Sequence, residues 1–97
     1  MAQVASRTVF SVSPQGVEGD ITIGIGLPVK RACGDWGVAV SLDTLDTHQV
    51  TIYGIDSWQA VREAMRFVAV RFSHFSESGW GFFWERNGEK LEPGDLL

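Results

Sequence analysis

The sequence predicts an α+β fold: an antiparallel sheet of about five to six strands, ordered β-β-β-β-α-β-β, with one long amphipathic helix packed on one face. Three observations carry the prediction. Large apolar residues alternate with small or polar ones in DITIGIGLP and again in WGVAVSL, the period of a strand with one face on a core. The stretch DSWQAVREAMRFVAVRFSHF, from Asp56 to about Phe75, repeats its apolar residues every three or four positions, the period of a helix. The connections between strands are short, which favours antiparallel neighbours and leaves a lone helix to lie across the sheet.

Taken in order, Arg7 to Ser13 (RTVFSVS) alternates β-branched and aromatic residues and reads as the first strand, closed by Pro14, Gly16 and Gly19. In the second strand Ile21, Ile23, Ile25 and Leu27 point one way, and Thr22, Gly24 and Gly26 the other. The glycines let something approach that second face closely: a helix, another sheet or a ligand. Pro28 ends the strand or places it at an edge. Val29 to Asp35 reads as a polar connection. Trp36, Val38, Val40 and Leu42 then form the large face of a third strand whose other face is Gly37, Ala39 and Ser41. A turn at Asp43, Thr44, Asp46 and Thr47 leads to the fourth strand, His48 to Tyr53, broken by Gly54.

Asp56 caps the helix, and Gln59, three residues on, is placed to reach back to the Asp56 backbone N–H, a variant of the capping box. Trp58, Val61, Met65, Val68, Phe72 and Phe75, widened by Ala64 and Ala69, make the stripe expected to face the sheet. Phe67 and Val70 fall away from it, near His74, and point to a second contact surface, most simply a homo-oligomer interface. After the helix, Trp80 to Arg86 reads as a strand. Asn87-Gly88 predicts a type I′ hairpin turn, and Glu89 to Leu91 a short return strand. Pro93-Gly94 ends ordered pairing and leaves an expected loose tail.

All 97 residues make one domain, 1–97, with enough apolar content for a core without disulfide or metal staples. A net charge of −4 argues against a nucleic-acid partner. Charge is uneven: Arg62, Arg66 and Arg71 lie on the helix, whereas Glu77, Glu85, Glu89, Glu92 and Asp95 crowd the end of the chain. The single cysteine, Cys33, excludes an internal disulfide and fits a reducing compartment. No secretory signal and no transmembrane-length apolar run is visible, so the expected location is cytoplasmic, away from membranes.

Catalytic chemistry finds little to stand on. Cys33 has Lys30 and Arg31 nearby, with His48 or His74 as a conceivable base, but no local signature of a cysteine enzyme surrounds it. Asp43, Asp46 and His48 are a polar turn leading into a strand before they are a metal site, since no metal-ligand spacing accompanies them. The Gly24 and Gly26 pair lacks the third glycine and the following helix of a dinucleotide fingerprint. The expectation is no catalytic residue, no metal and no cofactor. The aromatic residues are the richer signal: most belong to a core, and the remainder are placed to line a ligand groove between sheet and helix. That groove would be built from Trp36, Tyr53, Trp58, Arg62, Arg66 and Trp84 and would suit an apolar or cationic small molecule.

Gly54 to Ala60, GIDSWQA, ends a strand in Gly-hydrophobic-Asp-Ser and opens a helix with an aromatic residue and Gln-Ala. Pro28 at a strand end, Asp35-Trp36 at a strand start, and the aromatic strand with Trp84 before Asn87-Gly88 accompany it. On these residues about two thirds of the chain resembles a family of small bacterial proteins, a domain of unknown function. These are similar to proteins carried on mobile integron gene cassettes. A cysteine often follows the tryptophan of the third strand in that family; here Gly37 stands there, and Cys33 lies upstream. The family carries no established activity, so the resemblance implies no catalytic residue. The resulting expectation is a non-enzymatic interaction protein that self-associates and has room for an unidentified protein partner. The alternative is a small-molecule binder with an aromatic groove.

Overall fold

Strands β1 (Gln3–Val12) and β2 (Glu18–Gly26) form a long antiparallel hairpin at the centre of the sheet, as seen in a computed structural model that describes residues 3–97. Its turn is tied by the Ser13 N–H donating to the Val17 carbonyl at 2.8 Å, with Gly16 at φ +83° supplying the left-handed step. Strand β4 (Trp36–Ser41) lies beside β2, and β5 (Val50–Gly54) pairs along β4 on its other side. Leu27-Pro28 interrupts β2 before the chain resumes as the two-residue β3 (Val29–Lys30). Since β5 fills one side of β4, both β2 and β3 share the other: β2 meets Val40 and Ser41, β3 meets Trp36 and Gly37. Proline has no N–H to give a ladder, which explains the break. The expected polar connection thus contains a short strand.

Helix α1 (Ser57–Glu77) follows β5, and β6 (Gly81–Phe83) returns to pair with β1 at Phe10–Val12. The result is a six-stranded antiparallel sheet with one long helix on one face, an α+β fold. No helix among the described residues is long and apolar enough to cross a membrane.

The Asp56 carboxylate accepts the Gln59 N–H at 2.7 Å. Gln59 Oε1 in turn accepts the N–H of Ile55 at 2.8 Å, one residue before the expected partner. The helix runs two residues beyond Phe75 before Gly79, at φ +103°, ends it.

The inward face of α1 keeps Val61, Ala64, Val68, Ala69, Phe72 and Phe75 of the expected stripe and leaves Trp58 and Met65 out of it. Ala60, Ala64, Val68, Ala69 and Phe72 are buried, whereas Trp58 is 80 % exposed and Met65 faces solvent in part. Phe67, expected on the outer face, is half-buried and packed against the core. Close seating is the reason: a Cβ at Gly54 would come within 2.5 Å of the Ala60 nitrogen, so only small side chains fit where helix and sheet meet. Phe72 then lies on Phe82 with ring centroids 4.4 Å apart, and both are enclosed with Ile21, Val9, Val38 and Val40.

The last segment also departs from expectation. The Asn87-Gly88 hairpin is a four-residue loop: Trp84 N–H donates to the Glu89 carbonyl at 3.0 Å and Gly88 N–H to the Glu85 carbonyl at 2.9 Å. Asn87, at φ +62°, takes the left-handed position that asparagine tolerates. The return strand shrinks to a single bridge, Phe83 to Lys90. The tail is not loose. Leu91 is buried, with its N–H on the Phe82 carbonyl, and a 3₁₀ turn at Pro93–Leu96 packs on α1 and brings Leu96 onto the core.

Candidate functional site

Strand alternation sorts the sheet into two faces. Val9, Ile21, Ile23, Ile25, Val38, Val40 and Ile52 point to the helix and tail, while Thr8, Thr22, Gly24, Gly26, Gly37, Ala39, Thr51 and Tyr53 point away. Among the described residues no helix covers this second face. Its centre is polar, with the Thr8 and Thr22 hydroxyls 3.0 Å apart, and the Gln3 side chain folds over Gly24. At the end near β3 it becomes an open groove of about 450 Å³, floored by Gly26, Gly37 and Ala39 and walled by Leu27, Val29 and Tyr53. The Arg31 guanidinium lies over the Tyr53 ring, 4.4 Å from its centroid.

The same end of the molecule carries the junction of β5 and α1, where Ile55 is 75 % exposed beside the still more exposed Trp58. Helix capping explains the position: Asp56 must sit extended before the first turn, which turns Ile55 and Trp58 outward on either side of it. Trp58 forms a shallow depression with Pro28, Val61, Arg62 and Met65 on the helix side of the sheet. Arg62 and Arg66 reach Glu63 at 3.4 and 3.5 Å, leaving both guanidinium groups largely in water.

The residues expected to form one groove are therefore dispersed. Trp36 is half-buried against the core on the helix side; Tyr53 stands on the opposite face. Trp58, Arg62 and Arg66 belong to the outer surface of the helix, and Trp84 lies beside β1 with the Arg7 guanidinium 4.8 Å from its ring centroid. Trp58 and Arg62 share a depression. Of the expected oligomer surface, Val70 and His74 are exposed and Phe67 is half-buried beside them on the same helical flank.

Two further candidates have local roles. Asp46 accepts the His48 N–H at 3.3 Å and pairs with Arg71 at 3.4 Å, so its carboxylate anchors the loop to the helix. Asp43, at φ +56°, accepts the Thr22 N–H at 3.3 Å. Cys33 is exposed in the turn closed by the Gly34 N–H on the Arg31 carbonyl. Among the described residues no three His, Cys, Asp or Glu side chains converge as a metal site would require.

Sequence reasoning missed the exposed set Leu27, Val29 and Ile55, and it expected a groove between sheet and helix, whereas the groove beside Tyr53 lies on the open face. The alternation of glycine with isoleucine in β2 was the available signal: it marked the thin face, where the groove lies. No protein-family model, curated protein or solved structure matches the chain.

Proposed function

We propose that this chain is a non-enzymatic, cytoplasmic interaction protein that associates with itself, of the bacterial, cassette-borne kind that its GIDSWQA segment resembles. The observation that carries the reading is that three large apolar side chains within one short stretch, where β5 meets α1, stay outside the core: Tyr53, Ile55 and Trp58, each at least half exposed. Large apolar side chains left in water near one another mark contact surfaces more often than ones scattered singly do. Molecular shape agrees. The radius of gyration is 14.0 Å, against about 12.5 Å for a compact chain of this length. The accessible surface is 5922 Å², against about 5,500 Å² for this mass. A partner would remove part of that excess.

Sedimentation velocity over a micromolar concentration series, with native mass spectrometry of protein purified gently from lysate, tests the proposal. A species heavier than one subunit is expected; a single subunit at every concentration rejects self-association. The groove beside Tyr53 favours a second reading, a small-molecule binder whose ligand is flat and apolar. That reading predicts a bound small molecule in the same native spectrum, lost in Tyr53→Ala.

A further inference from the structure

Resting on the self-association proposed above, we infer that the interface is the free edge of β5, paired antiparallel with β5 of a second copy about a twofold axis at Ile52. Strand β5 bonds to β4 along its whole length and, among the described residues, has no strand on its other side. Proteins ordinarily protect such an edge with charge, proline, a bulge or shortness. Val50–Gly54, VTIYG, has no charge and no proline, and its register against β4 runs unbroken from Val40 opposite Val50 to Trp36 opposite Gly54. The opposite edge is defended: β6 is three residues long, and the charged loop containing Glu85, Arg86 and Glu89 follows it. The unprotected edge is the one that accepts another strand.

Alternation restricts the register. Val50, Ile52 and Gly54 share the helix side, Thr51 and Tyr53 the open side, so a symmetric pairing must be centred on a residue. An axis at Ile52 sets Thr51 opposite Tyr53 of the second copy and Val50 opposite Gly54, a large side chain meeting an absent one. Moving the axis to Tyr53 or to Thr51 would leave strand facing strand only over 52–54 or only over 50–52, so the Ile52 register is the one that pairs Val50–Gly54 along its whole length.

The helix layer fits the same axis. Helix α1 rests on β4 and β5 together, with Val61 and Met65 on the flank toward Pro28. Helical periodicity puts Phe67, Val70 and His74 on the opposite flank, the side of the free edge. In a continuous sheet the two helices would run antiparallel about 10 Å apart, two strand spacings, which is the distance at which helices pack.

The test uses the full chain in a Cys33→Ser background. Ile52→Cys is expected to cross-link to itself under diamide, because directly opposed strand residues have Cα atoms about 4.5–5.5 Å apart, within disulfide range. His48→Cys should not, since its own mate lies eight residues along. Amide hydrogen exchange on the unmodified protein provides a measurement free of substitution: every β5 amide is expected to be protected in the oligomer, and alternate ones to lose protection on dilution to the subunit. A protein with one subunit at all concentrations rejects self-association itself. An oligomer in which Ile52→Cys stays uncross-linked and alternate β5 amides exchange freely leaves self-association standing and overturns the edge pairing.

Discussion

Gly54 and Asp56 fix how the sheet hands over to the helix. Gly54 is required by space, since any Cβ would press on the Ala60 nitrogen at 2.5 Å and the Ala60 Cα at 2.8 Å, backbone atoms that cannot swing aside. Gly54→Ala is therefore expected to destabilise the chain by about 1–3 kcal/mol, the usual cost of overpacking, read as a lowered urea midpoint by circular dichroism. Asp56 acts through its carboxylate on the Gln59 N–H. Asp56→Ala should cost about 1 kcal/mol in the same measurement, and Asp56→Asn much less, because asparagine caps nearly as well. Equal losses in the two variants would mean that charge, rather than the cap, matters there. This cap was legible in the sequence because its chemistry spans only three residues.

At the scale of elements, the helix, the strands and most of the helix's inward face were legible, and the positions of Trp58, Met65 and Phe67 were not. Period distinguished α1 from its neighbours, and glycine alternating with isoleucine marked the two faces of β2. Hydrophobicity alone, however, drew Trp58 and Met65 into the inward stripe because both are large and apolar. Size decided the other way: the alanines at 60 and 64 mark where the helix comes closest to the sheet, and bulk is accepted only further along, at Phe72. Phe72→Ala is expected to cost about 3–5 kcal/mol in urea unfolding. Trp58→Ser should stay within about 0.5 kcal/mol. A large loss at Trp58 would restore the stripe read from periodicity. The short β3 and the reduced return strand escaped the sequence because both depend on pairing partners distant in the chain.

For the molecule as a whole, helix and tail together cover one face of the sheet. Helix α1 takes β4 and β5, and the 3₁₀ turn with Leu96 closes over the side of Ile23 and Ile25. Deleting residues 92–97 removes that cover and should cost about 1–3 kcal/mol, the scale of one exposed leucine-sized side chain. Thermal unfolding followed by circular dichroism would show it, and an unchanged midpoint would make the tail a passenger. The groove's location belongs to this scale too. Aromatic residues signal stickiness in a sequence, but which face they share is set by strand pairing, and Trp36 and Tyr53 fall on opposite sides of one sheet.

Trp58, finally, gives the molecule an optical reporter of its own. Trp36 and Trp80 are half-buried and Trp84 lies near a guanidinium, so the indole at the helix start is the one most fully in water. Its emission belongs at the red edge of the spectrum. Anything that settles on that end of the protein should draw the band toward the blue, whereas unfolding would move the other three indoles toward the red. One unlabelled spectrum therefore separates arrival of a partner from loss of the fold.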